Sequence, residues 1–160
     1  MKAIVIGGGV LALGLIGWLT LSGSSTAVTA TPISSGFNYE RASIVERQEW
    51  LSKHADPMAK LFDRSLPKGN SAQPHMAVTG WAVDARRRAI EVRVEVKGQY
   101  GIDKRAVPAA RRAMVDRICP SYASSALGQN KVHLHHSFFG QDGREALSFV
   151  ISPLSCRAFM

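Results

Sequence analysis

The sequence is poor in cysteine, poor in acids and nearly free of charge over its first forty residues. Each shortage removes a class of readings. Cysteine occurs only at Cys119 and Cys156. With no Cys-x-x-Cys and no paired ligand spacing, the usual frames of a zinc module are missing. Neither Gly-x-Ser-x-Gly nor His-Glu-x-x-His occurs, and no carboxylate pair stands outside routine surface positions. The chain is therefore expected not to be an enzyme and to need no cofactor. No repeat of solenoid period is present either.

Charge is scarcest at the start. The first acid is Glu40, and no Lys or Arg lies between Lys2 and Arg41. The Gly-rich opening has the spacing of a dinucleotide-binding turn. Its continuation is apolar on every face, however, and no acid follows about 20 residues on, so that reading fails. What remains is an uncharged apolar run over residues 3–22. At ~1.5 Å per residue it spans about 30 Å, the hydrocarbon core of a bilayer. A cleaved secretory signal has a shorter apolar core of roughly 7–15 residues. The run reads as a single-pass inner-membrane anchor, with cleavage after Ala27 or Ala30 as the alternative. Lys2 keeps the N-terminus in the cytoplasm and sends the C-terminal domain to the periplasm or outside. Ala3 with Gly7, and Gly8 with Ala12, offer small-residue contacts for an oligomer through the anchor.

The organisation expected is a transmembrane anchor or uncleaved signal at 1–22, a Ser/Thr/Ala/Pro-rich linker at 23–38, and an exported α+β domain at 39–160. The chain is basic, with 20 Lys+Arg against 12 Asp+Glu and a net charge of +8. For an exported domain this points to anionic envelope material or an acidic partner. In that setting Cys119 and Cys156 read as one disulfide.

Periodicity supplies the elements. Ser43 and Glu46 form a capping box, and a helix follows to about Ala55, with a kink or restart at Pro57 running through Phe62. Residues 67–74 form a loop. Residues 77–83 and 89–97 form a hairpin, with Ile90, Val92, Val94 and Val96 alternating against Glu91, Arg93, Glu95 and Lys97. A second helix starts at Asp103 or Val107 and ends at Cys119-Pro120. A second hairpin closes the chain, with Leu134, His136 and Phe138 facing Leu147, Phe149 and Ile151. The fold expected is α+β: an N-terminal transmembrane helix, then helix, hairpin, helix, hairpin, with two helices on one face of a four-stranded antiparallel sheet.

Arg86, Arg87 and Arg88 at the hairpin tip, with Arg111 and Arg112 on the second helix, are the candidate surface for an anionic partner. No aromatics interleave with them as in single-strand binders. His133 and His135 lie on one face of a strand, about 7 Å apart. His75 or His54 would have to complete a metal set, so no metal site is expected. Trp50, Trp81 and Tyr100 are candidate partner anchors, with at least two expected in the core. The function expected is a membrane-anchored, outward-facing interaction domain with a protein partner, an accessory of a secretion, pilus or conjugation apparatus. The alternatives are a basic binding module for an anionic envelope polymer or nucleic acid in transit, or a cleaved and secreted small binding protein.

Overall fold

The computed structural model describes residues 36–66, 68–70, 73–97, 105 and 107–159. Helix α1 spans Ile44–Ser65, and its start is set by the capping box. The Ser43 hydroxyl accepts from the Glu46 amide at 3.3 Å, and the Glu46 carboxylate accepts from the Ser43 amide at 2.7 Å. Pro57 sits inside this helix and does not break it. Proline removes one backbone hydrogen bond. Here Pro57 and Lys53, whose carbonyl loses that bond, are both exposed, and water can satisfy the carbonyl. Leu51, Ala55 and Ala59 recur every fourth residue and are buried, so the apolar stripe runs on through the proline. Helix α2, Val107–Ser124, likewise continues through the exposed Pro120 rather than ending there. The short helix α3 is Ala126–Gln129.

The strands are β1 (Lys68–Asn70), β2 (Gln73–Asp84), β3 (Ala89–Lys97), β4 (His133–Phe139) and β5 (Glu145–Ile151). Among the described residues they form one five-stranded sheet in the order β1-β2-β3-β4-β5, accompanied by three α-helices and a closing 3-10 turn, Arg157–Phe159. The pairs β1–β2, β2–β3 and β4–β5 are antiparallel, and β3–β4 is parallel. This corrects the four-stranded antiparallel expectation. The reason lies in the connection. Eighteen helical residues in α2 run about 27 Å, close to the ~30 Å of the nine-residue β3. The chain is carried back to the end where β3 began, so β4 starts there and runs parallel, as a βαβ unit does. The fifth strand, β1, forms in the segment expected to be a loop, with Lys68 opposite His75.

One face of the sheet supplies the core. Ile90, Val92 and Val94 pair in register with Leu134, His136 and Phe138, which pair in turn with Ile151, Phe149 and Leu147. All nine are buried, and the eight apolar ones form one cluster with Leu51 and Ala55 of α1 and Met114, Cys119 and Tyr122 of α2. Ile44 and Val45, in the first turn of α1, are exposed.

Among the described residues no helix is long and apolar enough to cross a membrane. The single-pass inner-membrane localisation is corrected accordingly. Residues 3–22, on which that anchor and its helix contacts rested, lie outside the described residues, as does the linker up to Ser35.

Candidate functional site

The β2–β3 turn, Ala85 to Arg88, is built by Asp84. Its carboxylate accepts from the Arg86 and Arg87 amides, both at 2.9 Å, which closes the turn and leaves both side chains outside it. Arg88 behaves differently. Its guanidinium donates to Glu40 at 2.6 Å and to the Asn130 carbonyl at 3.3 Å, and it lies 4.5 Å over the Tyr39 ring. The Tyr39 hydroxyl in turn donates to the Ala85 carbonyl at 2.9 Å. The bond from Arg88 holds the Glu40 carboxyl below its ordinary range, while burial raises the Tyr39 phenol. Arg88 therefore ties the entering chain to the turn, and of the arginine triplet only Arg86 and Arg87 stand free of it.

The parallel pairing sets the end of α3 beside this turn. Lys131 donates its amide to the Gly128 carbonyl at 2.9 Å, and Val132 to Leu127 at 2.9 Å. This is the paired bonding of a Schellman helix end, whose left-handed position usually carries glycine. Here Lys131 occupies it at φ 54°. Two residues on, His133 donates its amide to the Arg88 carbonyl at 2.8 Å and pairs with Ala89. Its imidazole pKa is lowered, first by burial and then by His135 and Arg88.

The third wall follows β5. Ser152 and Ser155 exchange hydrogen bonds, from the Ser152 amide to the Ser155 hydroxyl at 2.8 Å and from the Ser155 amide to the Ser152 hydroxyl at 3.2 Å. Cys156 pins this loop through a disulfide to Cys119 on α2, with both residues fully buried and 37 positions apart. Arg86, Arg87, Arg88, Lys131, His133, Ser152, Pro153 and Leu154 together line an open groove of about 410 Å³. Its titratable side chains are all of cationic type, so it is suited to hold an anion.

The structure divides the expected arginine surface. Arg86, Arg87 and Arg88 line the groove, and Arg111 and Arg112 do not. Arg111 donates to the Ser148 carbonyl at 3.1 Å, away from the turn, and Arg112 is exposed on α2. His133 and His135 have ring centroids 6.4 Å apart, but His54 and His75 are engaged elsewhere, with the carbonyls of Trp50 and Lys68. Among the described residues no group of three His, Cys, Asp or Glu could hold a metal. His136 is buried with Nδ1 lacking a partner. Trp50 stacks on Phe37 at 4.8 Å and is half-buried, Trp81 is 39% exposed, and Tyr100 lies outside the described residues.

Sequence reasoning passed over Lys131, Pro153 and Leu154 as parts of a site. The signal for Lys131 was a helix end without glycine. The signal for Leu154 was an isolated aliphatic residue between Pro153 and Ser155, just ahead of a bridged cysteine.

Helices packed on a mixed sheet, a buried bridge and a cationic groove at the strand starts define a small α+β domain with a basic recess. No protein-family model and no curated protein matches the chain. Two solved structures are similar in fold. A Pseudomonas aeruginosa protein described as a candidate secreted protein has 19% identity and a TM-score of 0.50, covering 72% of this chain and 99% of its own. The type II secretion system pilotin AspS of Vibrio cholerae has 14% identity and a TM-score of 0.44, covering 72% of this chain and 100% of its own.

Proposed function

We propose that this chain is an interaction domain without catalysis of its own, serving as an accessory part of an envelope or secretion-related assembly. The observation that carries the reading is the Cys119–Cys156 bridge. Both residues have no exposure, and the bridge staples α2 to the segment after β5. A buried structural bridge of this kind belongs to a protein that matures in oxidising surroundings. The shared fold with a candidate secreted protein supports the same reading.

The test has two arms in the native host. Cells are quenched in acid and the chain is alkylated under denaturing conditions with a mass-adding maleimide, with and without prior reduction. Both cysteines should resist modification until reduced, and free thiols in unreduced cells would sink the reading. Photo-cross-linkers are then placed at exposed positions, and the adducts identified. A defined envelope or secretion component should be captured in stoichiometric yield, whereas cross-links only to the chain itself would refute the accessory role.

A further inference from the structure

We propose that the groove between the β2–β3 turn and the loop around Leu154 binds an acidic segment of a partner protein, one carrying an aliphatic side chain beside its carboxylates. This rests on the interaction-domain reading and adds the surface and the partner's chemistry.

Charge complementarity is the first support. Arg86 and Lys131 are exposed, and among the described residues neither is held in an ion pair. Arg87 meets Asp84 and Glu91 only at 3.9 and 4.0 Å. Guanidinium groups held this loosely keep their paired donors for an incoming carboxylate. Backbone conformation is the second. Among the described residues the positive-φ positions other than glycine are Arg88 at 55° and Lys131 at 54°, and both line this groove. Glycine would adopt such angles without strain. The chain instead carries a cation at each, in sparsely populated backbone of the kind that gathers at functional sites.

The apolar wall selects the class of anion. Leu154 is 81% exposed and stands with Pro153 beside the cations. A free phosphate or a sugar polyanion would leave that wall in water. A peptide with both carboxylates and an aliphatic side chain covers both parts, as interfaces with a desolvated centre and a polar rim do. The volume, about 410 Å³, falls in the range of sites that take whole ligands rather than single ions. The bridge at Cys156 and the paired serine bonds fix the wall, so little ordering is left to oppose binding.

Fluorescence anisotropy on the full chain tests this with a labelled peptide, Glu-Leu-Asp-Glu-Leu-Glu, against its amide counterpart, Gln-Leu-Asn-Gln-Leu-Gln. The acidic peptide should bind and the amide should not. Arg86→Ser with Arg87→Ser should weaken binding by about tenfold or more, and Leu154→Ser by about threefold. Arg111→Ser with Arg112→Ser removes the same two charges away from the groove and should change binding by less than about twofold. Equal losses from the two double variants would reduce the effect to overall charge and overturn the proposal. Displacement by inorganic phosphate or by a single-stranded oligonucleotide at lower concentration than by unlabelled acidic peptide would overturn it in favour of a phosphate ligand. Failure of the acidic peptide to bind would remove the groove alone. The oxidised cysteines and the captured envelope component would still carry the interaction-domain reading.

Discussion

Acidification from pH 7 to pH 5 should destabilise this domain, with the largest single contribution from His136. Its imidazole is 2% exposed and lies between Phe62, at 4.5 Å, and Phe149, stacked at 4.8 Å. Burial pushes its pKa down from 6.5 to about 3, against a smaller opposing effect of the Leu134 backbone and with some added repulsion from His135. The folded state thus holds a neutral ring while the unfolded chain takes up a proton below about 6.5. Stability is complete above that value and falls as pH drops, until the buried ring itself protonates near 3. The slope is about 1.4 kcal/mol per pH unit once the unfolded form is mostly charged. Integrated from pH 7 to pH 5, one such group costs about 2 kcal/mol, set almost wholly by the unfolded-state value.

The perturbation that isolates it is His136→Leu, assayed by urea unfolding at steps between pH 7 and pH 5. The substitution removes the titration and the unpartnered Nδ1, whose burial costs ~1–3 kcal/mol, and it forgoes ring contacts with Phe62 and Phe149 worth ~0.5–1.5 kcal/mol each. The two roughly offset at pH 7, so the variant should match the parent there and exceed it by about 2 kcal/mol at pH 5. Other groups leave this difference alone. Glu40, Glu46 and Asp63, held below their ordinary range by hydrogen bonds, lose their contribution only at lower pH, and His133 remains in both proteins. Parallel stability profiles for parent and variant between pH 7 and pH 5 would refute the reasoning.

Three further outcomes are expected. Replacing Cys119 and Cys156 together by alanine frees a 37-residue separation in the unfolded chain and should cost about 4 kcal/mol in urea unfolding; a loss below ~1 kcal/mol would mean the bridge is incidental. Gly128→Ala places a methyl group against the Tyr122 carbonyl, in the same residue whose hydroxyl donates to Val132 at 2.8 Å. It should destabilise by ~1–3 kcal/mol, read as a lowered Tm. Lys131→Gly relieves the left-handed lysine and should stabilise by about 0.5–1 kcal/mol while weakening acidic-peptide binding, so calorimetry and anisotropy should move in opposite senses.

The local chemistry of this fold was legible where a residue acts on its near neighbours. Ser43 with Glu46, the alternation from Ile90 to Val96, and the cysteine pair each act over a spacing readable in the chain. Both prolines misled for one reason: Pro57 and Pro120 sit on exposed helix faces, where the lost hydrogen bond is replaced by water. Arg88 was indistinguishable from Arg86 and Arg87 in the sequence, and its partners Glu40 and Asn130 lie 48 and 42 residues away. Leu154 lines the groove only because the parallel strand returns the chain beside the arginine turn, while the bridge at Cys156 pins the loop that carries it.

The topology and the groove are therefore one fact rather than two. Had β4 run antiparallel against β3, His133 would lie opposite the Lys97 end of that strand, about 30 Å from the arginine turn. The crossover through α2 returns the chain to the start of β3, which brings Lys131 and His133 beside Arg86 and Arg87. Leu134 pairs with Ile151 at the same end, so β5 delivers Ser152 and Leu154 to the same recess. The cations come from two connections and the apolar wall from a third, and no one of these segments makes a site alone. Only the parallel register gathers all three, and the bridge between α2, which sets that register, and Cys156 then fixes the third wall against the other two.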